Sequence, residues 1–332
     1  EDLITMAPLK ARSDLVNAQR IVVKVGTSTV SRADGSVSLG RIGHIVEQLS
    51  ELRLQGKDVI FVSSGAVGVG RAKLRKQQLF SRSVQSHLGG EVVEPPTLNA
   101  SAAAGQSGVM GLYEQLFGQY DVLCAQVLVS PSDMGHEEKV AQLKNSLSWL
   151  LERHTIPVLN ENDAISSHRT RADSGDAENS NPLAFKDNDG LAASIAQMME
   201  ADVLLLLSDV EGIYRCMPAP GEKPDIIDIY SSSTDVQIGT KSGPGRGGMG
   251  AKIEAAMKAI ESGVGSVVIA SGLESSTVTR VMSGESVGTL LVLQGEADAA
   301  APNDVLQAAS NDSGSTTNGP AAAATAAASA ES

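Results

Sequence analysis

Ile21-Val22-Val23-Lys24-Val25-Gly26-Thr27-Ser28 decides how the rest of the chain is read. A short, mostly β-branched run stopped by glycine predicts a buried strand ending in a tight turn. Ile42, Ile45, Val46, Leu49 and Leu52 follow at helical spacing until Gly56. Val59 to Val62 is the next strand, closed by Ser63-Ser64-Gly65-Ala66. Further out, strands are predicted at Val122 to Val129, Ile156 to Leu159, Val203 to Leu207, Val267 to Ala270 and Thr289 to Leu293, with helices near 107–118, 138–153, 190–200 and 250–262. This alternation predicts an α/β domain whose mostly parallel sheet is covered on both faces. Two stretches break the rhythm: polar Lys73 to Thr97 reads as a solvated insertion, and Ser166 to Asn181, rich in Ser, Asp, Asn and Arg, as a mobile surface loop or lid.

Composition narrows the function classes. The chain has 332 residues, 42% apolar and 20% charged, which is enough for one large core or two modest ones. Cys124 and Cys216 stand in different segments, which excludes a disulfide scaffold and points to a reducing, cytoplasmic compartment. No apolar run approaches the roughly 18 residues of a membrane span, and Glu1 to Gln19 lacks the pattern of a secretory signal and reads as an extension. With 39 carboxylates against 26 basic residues and a net charge of -13, nonspecific nucleic-acid binding is disfavoured. From Ala297 to Ser332 the chain is mostly Ala, Ser, Gly, Asn and Thr without Lys, Arg or aromatics, the composition of a disordered tail.

Ligands of open α/β sheets bind beyond the C-terminal ends of strands. Those positions hold Gly26-Thr27-Ser28, Ser63-Ser64-Gly65, Asn160-Glu161-Asn162-Asp163 and Ser208-Asp209. Lys24 interrupts an apolar strand, so its ammonium either snorkels to water or meets an anion such as phosphate. Gly245-Arg246-Gly247-Gly248-Met249-Gly250-Ala251-Lys252 concentrates glycine before a helix predicted from Ala251 to Ser262, where backbone N–H groups and the helix N-terminus suit phosphate. Gly245, Gly247 and Gly250 also fit G-x-G-x-x-G, but polar Val236 to Pro244 precedes them in place of a strand; at Gly65 and Gly70, Arg71-Ala72 replaces the P-loop Lys-Ser/Thr. Nucleotide use of the Rossmann or Walker type is therefore rejected. In Lys186-Asp187-Asn188-Asp189 one residue suffices to cap the following helix. The other carboxylates either orient lysine ammoniums or face a magnesium ion chelated by phosphates. His44, His87, His136, His154 and His168 have no metal-ligand spacing.

Val23-Lys24-Val25-Gly26-Thr27-Ser28, Ser63-Ser64-Gly65-Ala66, Ala104-Gly105-Gln106-Ser107, Asn160-Glu161-Asn162-Asp163, Lys186-Asp187-Asn188-Asp189, Ser208-Asp209 and Gly247-Gly248-Met249-Gly250-Ala251-Lys252 stand in the order seen in glutamate 5-kinases. The chain thus resembles that branch of the amino acid kinase family over roughly residues 20–294. Lys186 to Asp189 and Ser208-Asp209-Val210-Glu211-Gly212 look especially like the kinase part of the eukaryotic bifunctional delta-1-pyrroline-5-carboxylate synthase.

The resemblance implies a three-layer αβα sandwich with a mostly parallel central sheet. It places a kinase domain at 20–296, with a glutamate-binding part at about 20–185 and an ATP-binding part at about 186–296, between an extension at 1–19 and the tail at 297–332. The implied reaction takes ATP and L-glutamate to ADP and L-glutamyl 5-phosphate, the first step of proline synthesis. Under it Lys24 and Lys252 stabilise the transferring phosphoryl group and Asp189 orients them. Ser64, Gly65, Asp163 and Asn188, with Asp187 nearby, bind glutamate. Lys24, Gly26, Ser208, Asp209, Arg246, Gly247, Gly248, Met249, Gly250, Ala251 and Lys252 bind ATP. Mg2+ is held mainly by ATP, without direct protein ligands. Proline as a feedback inhibitor, glutamyl phosphate reductase as a partner and assembly into a homo-oligomer, a dimer or tetramer, are further expectations. The rivals are a family member acting on acetylglutamate, aspartate, carbamate or a nucleoside monophosphate, and a catalytically silent nucleotide sensor.

Overall fold

Every residue of Ile21 to Val25 is buried, as happens in a strand with neighbours on both sides and layers on both faces. The structure, a computed structural model, describes residues 11–81, 94–166, 183, 185–216, 218–219, 221–234 and 248–293. In it β1, Arg20–Val25, pairs in parallel with β2, Asp58–Val62, and with β5, Val203–Ser208. Outside β2 lie β4, Ile156–Glu161, and then β3, Cys124–Val129. Outside β5 come β7, Ser266–Ser271, then β8, Thr289–Leu291, and β6, Ile229–Tyr230. The order is β3-β4-β2-β1-β5-β7-β8-β6, and of these pairs β7 with β8 is the antiparallel one.

Alternate residues of a strand face opposite layers. Ile21, Val23 and Val25 join Val59, Phe61, Val203, Leu205 and Leu207 in one core. It is closed by α2, Leu39–Leu54, α4, Leu98–Gly118, and α8, Thr277–Met282. Val22 joins Ile60, Val62, Leu204 and Leu206 in the other core, under α5, Glu137–Glu152, α6, Asn188–Met198, and α7, Met249–Glu261. Lys24 shares the parity of Val22 and so points to the layer of α6 and α7. The three-layer αβα sandwich expected from sequence is the fold found. Among the described residues no helix is long and apolar enough to cross a membrane.

The stretch from Lys73 to Thr97 departs from expectation. Its first part is helical, the end of α3, Ala66–Ser81, and α4 begins at Leu98 instead of near 107. The cause is a helix contact built on glycine. A Cβ on Gly70 would lie 1.8 Å from the Ser101 carbonyl oxygen, and one on Gly105 1.9 Å from that of Ala66. Helices that meet backbone to backbone need no Leu or Ile stripe, so the periodicity that reveals an amphipathic helix is missing. The two-residue β6 is likewise too short to leave a pattern. Residues 82–93, the Ser166 to Asn181 loop apart from Ser166, and the tail from Ala297 lie outside the described residues.

Candidate active site

The chain runs from β1 outward to β2, then to β3 and β4, and crosses back through α6 to β5. The end of β1 is therefore where the strand order reverses, the usual place for a ligand crevice. α6 packs against β1, β2, β4 and β5, and its first turn is delivered to the C-terminal edge of the sheet. Asp187 caps it, its Oδ1 accepting from the Gly190 N–H at 2.9 Å.

The cap leaves Asn188 and Asp189 facing two clusters. In the first, Asp189 Oδ1 lies 2.6 Å from Lys24 Nζ and Asp189 Oδ2 2.7 Å from Lys252 Nζ. Lys24 comes from β1 and Lys252 from the first turn of α7, which starts after Gly248. Lys24 is 4% and Asp189 3% exposed, so each needs a counter-charge to stay ionised. Burial, helped by the like charge of Lys252, pushes the Lys24 pKa down, while Asp189 opposes that shift. For Asp189 burial pushes up, but Lys24 and Lys252 outweigh it and hold the carboxyl below its ordinary value. By formal charge the triad sets two lysines against one carboxylate, an arrangement that suits an anion. Both Asp189 oxygens thus face lysine ammoniums. Among the described residues no group of three or more His, Cys, Asp or Glu is placed to hold a metal ion.

The second cluster is neutral. Asn188 Nδ2 donates to Ser64 Oγ at 2.9 Å and to Asn160 Oδ1 at 3.0 Å. The Glu161 N–H donates to Asn160 Oδ1 at 2.9 Å and to Asn188 Oδ1 at 3.3 Å. Ser64 is held by the turn after β2, where Gly65 adopts φ +97° and a Cβ would meet Val30 Cγ1 at 2.8 Å, so glycine is required twice over. Asp163 is buried in the turn after β4.

Ser208 ends β5 and Asp209 follows it, next to the Val25–Gly26 end of β1, and Ser208 Oγ donates to Asp209 Oδ1 at 3.2 Å. Gly248, Met249, Gly250 and Ala251 form the start of α7. Arg246 and Gly247 lie outside the described residues. The structure thus brings Lys24, Asp189 and Lys252 together, and Ser64 together with Asn188. Residue-type reasoning did not find Tyr113, a buried phenol on α4 whose OH shares a 2.7 Å hydrogen bond with Ser63 Oγ. Its one signal is a tyrosine among Val109, Met110 and Phe117, buried residues of the same helix, where the OH needs a partner.

The family model described as the amino acid kinase family matches residues 19–271. Delta-1-pyrroline-5-carboxylate synthase of Solanum lycopersicum is 43% identical over 290 residues, covering 84% of this chain and 38% of that protein. The chain thus spans under two fifths of the length of that plant relative. Glutamate 5-kinase of Clostridium acetobutylicum is 35% identical over 285 residues, covering 84% of this chain and 96% of the bacterial one. Among solved structures, carbamate kinase from Giardia lamblia bound to AMP-PNP superposes with a TM-score of 0.54 at 14% identity, covering 84% of this chain and 100% of that one. Isopentenyl phosphate kinase of T. acidophilum gives a TM-score of 0.50 at 14% identity, over 82% of this chain and 100% of that one. At such identities the solved structures speak to the fold alone.

Proposed function

The chain belongs to the amino acid kinase family, and from that premise we propose that it acts as a glutamate 5-kinase. It would pass the γ-phosphoryl group of ATP to the γ-carboxylate of L-glutamate, giving ADP and L-glutamyl 5-phosphate at the start of proline biosynthesis. The observation that carries this reading is Asp189 held between Lys24 and Lys252, one residue from the Asn188 that holds Ser64.

A γ-carboxylate, with an ordinary pKa of about 4.3, is ionised at neutral pH and needs no general base. Catalysis then consists of in-line positioning and of neutralising the charge spread over the phosphoryl oxygens. Lys24 and Lys252 supply that charge, and Asp189 fixes the spacing of their ammoniums. On the nucleotide side, Gly26, Ser208, Asp209 and the segment from Arg246 to Ala251 bind ATP, with the start of α7 offering N–H groups and a helix N-terminus to phosphate. On the acceptor side, Ser64, Gly65, Asp163 and Asn188 bind glutamate, with Asp187 holding the turn. A magnesium ion held by the ATP phosphates would supply further charge neutralisation beside Lys24 and Lys252. The division into an acceptor part at about 20–185 and a nucleotide part at about 186–296 belongs to the same proposal. So do a cytoplasmic setting, assembly into a homo-oligomer, proline as feedback inhibitor and a glutamyl phosphate reductase to receive the labile product.

The test is trapping with hydroxylamine in the presence of ATP and magnesium, offering L-glutamate, aspartate, acetylglutamate or no acceptor. Hydroxamate with glutamate alone is the expected result. Nucleotide binding without product from any acceptor would move the chain to a sensor role.

A further inference from the structure

The neutral cluster is backed by a single helix face. Asn99, Gln106 and Tyr113 lie on α4 at intervals of seven residues, close to two full turns each time, so they form one stripe. Each reaches a different segment at the C-terminal edge of the sheet. Asn99 Nδ2 donates to the carbonyl oxygens of Asp163, Ala164 and Ser166 at 2.8, 3.3 and 3.2 Å. Gln106 Oε1 accepts from Asn160 Nδ2 at 2.7 Å. Tyr113 OH shares its hydrogen bond with Ser63 Oγ at 2.7 Å.

The middle contact has a directional consequence. A carboxamide presents donors on one side and an acceptor on the other. With its Nδ2 directed to Gln106 Oε1, Asn160 turns Oδ1 toward α6, where it accepts from Asn188 Nδ2 at 3.0 Å and from the Glu161 N–H at 2.9 Å. Reversing Asn160 would set its Nδ2 against that of Asn188 and leave Asn188 without this acceptor. The triad of Lys24, Asp189 and Lys252 rests on β1, α6 and α7, outside this chain of amides.

We propose that Gln106 is a positioning residue for the acceptor: by setting the direction of Asn160 it sets that of Asn188, and with it the affinity for L-glutamate. The proposal rests on the glutamate kinase reading above. Gln106→Met keeps the length of the side chain and removes its amide. Losing one hydrogen bond of this kind raises the KM for glutamate about tenfold, with kcat and the KM for ATP unchanged. Gln106→Glu, still offering Asn160 an accepting oxygen from a half-buried position, recovers most of that affinity. The double variant Gln106→Met with Asn160→Ala binds glutamate no more weakly than Asn160→Ala alone, because the first residue acts through the second.

An unchanged KM for glutamate in Gln106→Met overturns the proposal. So does a joint fall of kcat, ATP affinity and melting temperature that Gln106→Glu does not repair, since that describes a packing residue. Hydroxamate formation by the unaltered chain separates the two levels. No product there removes the kinase reading and this relay with it, whereas product there with an unmoved variant KM removes the relay alone.

Discussion

A buried lysine and a half-buried one sharing one carboxylate make the centre of the site sensitive to single atoms. Lys24→Ala or Lys252→Ala removes one preorganised charge and slows turnover by about two to three powers of ten, read from the hydroxamate assay on folded protein. Asp189→Asn leaves two ammoniums facing each other, and its effect on stability depends on pH with a definite sign. The folded carboxyl titrates below the unfolded one. Its stabilising contribution is therefore complete above the unfolded value of about 3.9 and is lost as pH falls through the lower folded value. Urea midpoints for the native chain and Asp189→Asn differ at pH 6 and converge as the medium is acidified toward that value. Elsewhere, burial and then the Glu114 charge push the Cys124 thiol up to about 11, while Cys216 is exposed. Iodoacetamide at pH 8 thus alkylates Cys216 first, as peptide mapping by mass spectrometry would register. Lys24 is legible in the sequence because a charge inside an apolar strand demands a partner, and Asp189 because one cap residue leaves a carboxylate over. Asn99 is not, since a lone polar residue at the start of a helix reads equally well as solvated.

At the scale of elements, the strands are legible because β-branched runs ended by glycine have few other readings, and the observed boundaries fall close to those predicted. α3 escapes because its partner contact uses the absence of side chains. The same contact fixes a prediction. A methyl group at position 105 would meet the backbone oxygen of Ala66, which cannot swing aside as a side chain would. Gly105→Ala therefore destabilises by about 2–3 kcal/mol and lowers the melting temperature by roughly 5–10 °C. The glutamate KM rises with it, because α4 carries Gln106 and Asn99 toward the acceptor turns. Differential scanning calorimetry and the kinase assay read the two effects separately.

For the molecule as a whole, the strand order placed the site before any side chain was considered: β1 lies at the reversal, and the turns after β1, β2, β4 and β5 share one edge. Which turn serves which substrate is not written in that order. It depends on side chains such as Asn160 whose partners come from distant segments. One feature joins the two sides. Asn188 touches the neutral amides and Asp189 the lysines, and the two are consecutive residues of α6. Successive α-carbons are held about 3.8 Å apart by a rigid peptide unit, so in the proposed kinase α6 would work as a covalent gauge between the acceptor and the phosphoryl donor. No hinge in the first turn of α6 can widen that interval. Inserting one alanine between Asn188 and Asp189 turns one cluster about 100° around the helix axis relative to the other. Glutamate and ATP should then each still raise the melting temperature, while phosphoryl transfer between them stops.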